Sequence, residues 1–198
     1  MNFKKNAEPS ISSIRNMSYA LLSLGLSVFL LGCMANNPPQ TVDTVDVERY
    51  MGVWYEIAKF PVVFQRGLVG ITAEYILEED GRIRVINRGL KGAFDGEESS
   101  IKGYATTPNP EEPAKLRVRF DPFPVSLFPG DYWIVELDEE YAYAVVSGPS
   151  RNMLWILSRT PSMAESQYEG IIQGLEERGF DMTKIQRTPQ LDSEANTG

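Results

Sequence analysis

YMGVWYEIAKF (residues 50–60) places a glycine, a tryptophan and a glutamate within five residues at the start of an extended stretch. Whether Trp54 is ordinary core or the floor of something hollow depends on the rest of the chain. Downstream the period is two. RIRVINR (82–88) sets Ile83 and Val85 against Arg82, Arg84 and Arg88, and KLRVRF (115–120) sets Leu116, Val118 and Phe120 against Lys115, Arg117 and Arg119. This is the alternation of strands with one dry and one wet face. Turn-forming clusters separate the runs: Glu79-Asp80-Gly81, Pro129-Gly130-Asp131, Asp138-Glu139-Glu140 and Gly148-Pro149-Ser150. The pattern predicts strands near 53–61, 69–78, 82–90, 98–106, 115–121, 131–138, 141–147 and 152–159. No crossover helix separates them, so the fold class is all-β, antiparallel and meandering. Eight strands can close into a barrel and hold one small ligand.

One helix is predicted, in SMAESQYEGIIQGLEERGF (162–180). Ser162 and Glu165 have capping-box spacing, Tyr168, Ile171, Ile172 and Leu175 share a face, and Gly179 supplies the stop. A single apolar stripe suits a helix lying on the outside of a barrel. A short last strand is predicted near 184–187.

The N-terminus reads as a leader. Lys4, Lys5 and Arg15 precede the apolar run YALLSLGLSVFLL (19–31), which is shorter than the ~20 residues of a membrane-spanning helix. Leu30-Leu31-Gly32-Cys33 then presents the only cysteine, a thiol with no internal disulfide partner. LLGC resembles the lipobox of bacterial lipoproteins, which implies that Cys33 is acylated and becomes the first mature residue. Met34, rather than an aspartate, follows it, implying an outer-membrane address. One acyl chain alone holds only marginally, and the resemblance implies three. The domains are therefore a signal peptide (1–32), a lipidated tether (33–44), a barrel with its helix (45–188) and a flexible tail (189–198).

Charge and composition narrow the function. The leader carries three of the 19 basic and one of the 27 acidic residues, so its removal moves the net charge from −8 to −10. That acidity argues against nucleic acid and against electrostatic binding to anionic lipid surfaces. The chain has no histidine, its one thiol is the candidate anchor, and it contains no Gly-x-Ser-x-Gly elbow. The usual general base, nucleophile and metal ligands are missing, so no catalytic residue, metal or cofactor is assigned.

Gly52-x-Trp54 after the turn DVERYM resembles the first signature of the lipocalin family. Asp138 and Tyr143-Ala144-Val145 resemble its second, with Leu137 where a threonine belongs and one extra residue of spacing. WILSRTP (155–161), with Arg159 ending the last strand, resembles the third. With INRG and the lipobox, the chain is most similar to the lipid-binding outer-membrane lipoproteins of bacteria within that family. The resemblance spans residues 45–188 and implies an eight-stranded up-and-down barrel. It also implies that Trp54, Arg159 and Gly52 form the closed floor of that barrel and do not select a ligand.

Parity then nominates the lining. With Trp54 inward, Glu56, Ala58 and Phe60 follow, then Ala73, Tyr75, Leu77, Ile83, Val85, Leu116, Val118 and Phe120. Arg159 turns Met153, Trp155 and Leu157 inward, and the resemblance favours Tyr132, Ile134 and Glu136 on the sixth strand. A carboxylate at Glu56 or Glu136 needs a partner inside. It is either a structural one or the head group of a ligand. The loop FDPFPVSLFPGDYW (120–133) presents Phe123, Val125, Leu127 and Phe128 near one barrel end, as an entrance lip, a membrane contact or, with Trp133, a homodimer contact. The expected role is a membrane-anchored carrier of fatty acids or lysophospholipids serving envelope maintenance, facing the periplasm. Its alternatives are an envelope interaction lipoprotein with a filled barrel and, less supported, a ligand-transforming enzyme.

Overall fold

The computed structural model describes residues 37–121, 125–127 and 129–191. Cys33, Phe123 and Phe128 lie outside them. The strands are β1 (Gly52–Lys59), β2 (Leu68–Leu77), β3 (Ile83–Lys91), β4 (Glu98–Thr106), β5 (Lys115–Phe120), β6 (Gly130–Leu137), β7 (Tyr143–Ser147), β8 (Leu154–Ser158) and β9 (Gln186–Arg187). Helix α1 (Val47–Tyr50) precedes β1, and α2 (Glu165–Glu177) follows β8. Each strand pairs with the next from β2 to β8, and β1 pairs with both β8 and β2, which closes eight strands into an antiparallel barrel. The two-residue β9 lies against the end of β1.

Two apolar clusters follow from the alternation. The inner one contains Trp54, Tyr75, Val85, Val118, Ile134 and Leu157. The outer one contains Ile57, Ala58, Phe60, Val135, Val145 and Ile156 under Tyr168, Ile171 and Leu175 of α2. Both lie within residues 38–191, a compact unit with its own core, as a domain able to fold alone has.

Strict alternation fails at three places. β1 has an extra residue opposite β8, with Glu56 facing Leu157 and Ala58 facing Ile156. β6 has one opposite β7, between Ile134 and Glu136, and β2 one opposite β3, between Val69 and Thr72. A bulge reverses parity downstream of itself. This corrects the expected lining: Ala58 and Phe60 face the outer cluster under α2. It also turns Glu136 outward, where it accepts from Tyr143 Oη at 2.9 Å and pairs with Arg178 of the α2 C-cap. Arg178 Nη1 donates to Val135 O at 3.0 Å, so the helix end is fastened to the bulge.

Ser162 is not the cap of α2. Ala164 holds that position without a side-chain bond, and the Ser162 carbonyl accepts from Thr160 Oγ1 at 2.7 Å. The stop matches expectation. Gly179, at φ +80°, bonds back to Glu176 O while Phe180 N reaches Leu175 O, the paired bonds of a Schellman close. Trp133, placed by sequence on an open outer patch, packs against the outer cluster with Lys115 Nζ 4.8 Å from its ring centre. Leu127 is exposed.

Leu175 is fully buried at the contact of α2 with the barrel. Leu175→Ala is expected to cost about 2–5 kcal/mol of unfolding free energy, measured by urea denaturation; a cost below about 1 kcal/mol would mean that the helix is not part of the core.

Candidate functional site

One end of the barrel is sealed. Trp54 is fully buried, and the Arg159 guanidinium carbon sits 3.8 Å from its ring centre. Such a contact is worth ~0.5–2 kcal/mol, more where water is excluded. Arg159 also ties two chain segments, Nη1 donating to Val53 O at 3.1 Å and Nη2 to Arg49 O at 2.6 Å. Trp54 Nε1 donates to Tyr50 O at 2.8 Å. Gly52 stands at φ +97°, and a Cβ there would lie 3.4 Å from Arg159 Nη1. A side chain at 52 would meet both backbone strain and the sealing arginine. Arg49 stacks on Tyr141 at 4.2 Å, and Tyr141 Oη accepts from Asp46 N, so the 138–142 turn closes over the same end. Asp138 Oδ2 accepts from Glu140 N and Ala142 N and shapes that turn.

Above this floor lies a stack of aromatics. Tyr132 Oη hydrogen-bonds to Tyr50 Oη at 2.7 Å and to Tyr75 Oη at 2.9 Å, and the Tyr50 and Tyr75 rings are 5.6 Å apart. Burial, reinforced for Tyr50 by the neighbouring Tyr75, pushes the Tyr50 hydroxyl well above its ordinary value. Burial likewise pushes Tyr75 up to about 12 and Tyr132 well above ordinary.

The tyrosines divide the interior. Below them a void of about 20 Å³ is bordered by Ile83, Leu116 and Ile134. Above them a cavity of about 280 Å³ is lined by Glu56, Ala73, Tyr75, Val85, Val118, Phe120, Tyr132 and Trp155. Of the residues nominated by parity, these eight share the cavity with Met153 and Leu157. Ile83, Leu116 and Ile134 sit at the sealed end, and Leu77 lies at the end of β2, 41% exposed. Sequence reasoning did not nominate Phe64, Gln65, Ile71, Asn87 and Ile101, which also line the cavity. Continuing the alternation from Val85 reaches Asn87, and running it back from Ala105 reaches Ile101. Gln65 and Phe64 come from a loop, where alternation carries no signal.

Glu56 is the buried acid in that wall, 3% exposed and fully partnered; Asp131, paired with Arg117 at 3.5 Å, is the other acid that lines it. The Glu56 carboxylate accepts from Lys59 Nζ at 2.6 Å, Thr188 Oγ1 at 2.6 Å and Gln65 Nε2 at 2.8 Å. Neither Arg159 nor a tyrosine is its partner. Lys59 reaches it because the bulge at Ile57 brings residues 56 and 59 to the same side. Gln65 Oε1 in turn accepts from Trp155 Nε1 at 3.2 Å. Pro189 and Gln190, expected in the flexible tail, are also fastened here: Gly70 N donates to Pro189 O at 2.8 Å, and Gln190 Nε2 to Glu56 O and Ile71 O. The buried Asn87 Oδ1 has no hydrogen-bond partner among the described residues. The site is an apolar chamber, closed below, with a few polar groups near its mouth.

The family model for the lipocalin-like domain matches residues 45–190. The chain is a lipocalin. It is 42% identical to temperature-induced lipocalin-1 of Arabidopsis thaliana over 168 residues, covering 80% of this chain and 87% of that one. It is 38% identical to outer membrane lipoprotein Blc of Escherichia coli (strain K12) over 172 residues, 83% of this chain and 93% of the relative. Among solved structures, insecticyanin of the tobacco hornworm Manduca sexta superposes with a TM-score of 0.59 at 18% identity, covering 82% and 88%. In this lipocalin the sealed floor and the open chamber are separate parts of one barrel.

The buried tyrosines set a pH dependence. Their folded-state values lie above the ordinary value near 10, so the stability they contribute is complete below about pH 10 and is lost as pH rises toward about 12 and beyond. Holding Tyr75 neutral while the unfolded chain ionises costs the folded state roughly 3 kcal/mol across that window. Urea midpoints from pH 8 to 12 should stay level to about pH 10 and then fall, with a shallower fall for Tyr75→Phe. An identical slope in that variant would contradict the assignment.

Proposed function

We propose that this lipocalin is a membrane-anchored carrier that binds one single-chain lipid, a fatty acid or a lysophospholipid, for maintenance of the cell envelope. The observation that carries the reading is the chamber of about 280 Å³ above Tyr75 and Tyr132. Its size is near the lower end of small-molecule sites, ~300–1,000 Å³, which suits one acyl chain and not two. Burying about a dozen methylenes gives roughly 10 kcal/mol before an association cost of at least ~4 kcal/mol. The remainder, at most about 6 kcal/mol, corresponds to dissociation constants of tens of micromolar or weaker. The anchor is Cys33 of LLGC, acylated after removal of residues 1–32, and the address is the outer membrane, with the barrel facing the periplasm. Support for the anchor and address comes from that motif and from the similarity to a relative named as an outer membrane lipoprotein. Carriage needs no group that makes or breaks bonds, and the tyrosines, held neutral by burial, act as wall and hydrogen-bond partners.

The test is native mass spectrometry of the Asn36–Gly198 domain, followed by titration of lysophospholipid against tryptophan fluorescence. One lipid per barrel and a saturable change are expected. Ala73→Leu, which fills part of the chamber, should weaken binding by ~10-fold or more. An empty protein indifferent to every single-chain lipid would overturn the carrier reading in favour of a filled barrel acting through its surface.

A further inference from the structure

A second hollow lies outside the chamber, at the mouth. The loop Pro61–Leu68 and the strap Gln186–Pro189 enclose a cleft of about 430 Å³ whose walls include Lys59, Gln65, Arg66, Arg187 and Thr188. Its composition runs against that of the chain. The protein is acidic overall, yet residues 57–73 and 182–191, which supply the cleft, contain no Asp or Glu and hold Lys59, Arg66, Lys184 and Arg187. Three carboxylates reach these cations from outside, and all are already engaged: Asp181 pairs with Lys184 at 2.9 Å. Glu56 holds Lys59, Gln65 and Thr188, and Glu165 takes both bonds from Arg187 Nη2, at 2.6 and 2.7 Å. Arg66 is exposed and forms no ion pair among the described residues. Lys59 spends one of its three ammonium donors on Glu56, which leaves two. Locally, then, cations outnumber carboxylates by one, and unused donors point to an anion.

The cleft and the chamber are neighbours through named side chains. Gln65 lies on both walls, Glu56 on the chamber side and Lys59 on the cleft side, so one hydrogen-bonded group is the partition. Trp155, bonded to Gln65, stands at the chamber's edge of that partition. We propose that the cleft is a head-group site that takes the anionic phosphate or carboxylate of the single-chain lipid whose tail fills the chamber. This rests on the carrier reading above and adds the charge of the ligand. Arg66 presents a planar fork matched to either oxyanion, and Lys59 supplies a point charge in the same cleft wall. The partition separates an apolar space that solvates methylenes from a cationic space that solvates the head.

The experiment compares three oleoyl lipids with the same tail, lysophosphatidate, oleate and monoolein, on the Asn36–Gly198 domain, with Arg66→Glu and Arg66→Lys as variants. Arg66 touches nothing that holds the chamber together. Wild type should bind the two anionic lipids ~5-fold or more tightly than monoolein. Arg66→Glu should erase that preference and leave monoolein within about twofold, and Arg66→Lys should keep most of it. Loss of affinity for all three lipids alike would mean that Arg66 only shapes the loop and would overturn the proposal. Unchanged binding of the anionic lipids in Arg66→Glu would mean that the head stays in water, overturning it equally. Inorganic phosphate at 31P NMR distinguishes a free anion from a lipid head. No saturable binding is expected, and binding as tight as that of lysophosphatidate would reassign the cleft. Equal binding of monoolein, oleate and lysophosphatidate by the wild type defeats this proposal alone. If neither monoolein nor lysophosphatidate binds, the carrier reading fails and takes this one with it.

Discussion

A barrel has no spare edge, and β1 is the strand on which its closure rests. Gly52–Tyr55 pair with β2 on one side, while Tyr55–Lys59 pair with β8 on the other. The strand can serve both neighbours only by changing partners along its length, and the extra residue at Ile57 accompanies that change. The part of β1 that has left β2 is covered by β9, and residues 188–190 bond to Ile57, Gly70 and Ile71 across the opening. What reads in sequence as the start of a tail is the last piece of the wall.

The same strand fixes both ends of the interior. At its start, Trp54 and Arg159 plug the floor and Gly52 gives Arg159 room. At its far end the bulge turns Glu56 and Lys59 to one side, and their ion pair forms the polar rim. A buried pair of this kind is weak evidence of stability, because desolvation offsets much of the attraction. Its position at the boundary between apolar chamber and cationic cleft suggests that it sorts environments. Between floor and rim the tyrosine stack sets how deep the open space extends.

The strands were legible in the sequence because alternation is a local property: each of the eight begins and ends within two residues of its expected bounds. The floor was legible because glycine, tryptophan and arginine are distinctive at those places. Bulges were not, since a bulge is set by the neighbouring strand and by what clamps it. Arg178, 43 residues away from Val135, is one such clamp. The misplaced residues have three causes: Ala58, Phe60 and Glu136 follow bulges, Leu77 lies where β2 runs out, and Ile83, Leu116 and Ile134 face inward below the tyrosines that divide the interior. Gln65 and Thr188 were missed because they come from segments whose order depends on tertiary contact. Ser162 and Glu165 have cap spacing, but Thr160 takes the Ser162 carbonyl and the helix starts later.

The central claim is that the barrel is hollow above Tyr75 and Tyr132 and takes one acyl chain there. Crystals grown with a terminally brominated fatty acid and measured at the bromine edge test it most directly. A single anomalous peak inside the barrel, within contact of Val85, Val118 or Trp155, is expected. Bromine found only outside the barrel wall, with side chains filling the space above Tyr75, would contradict it.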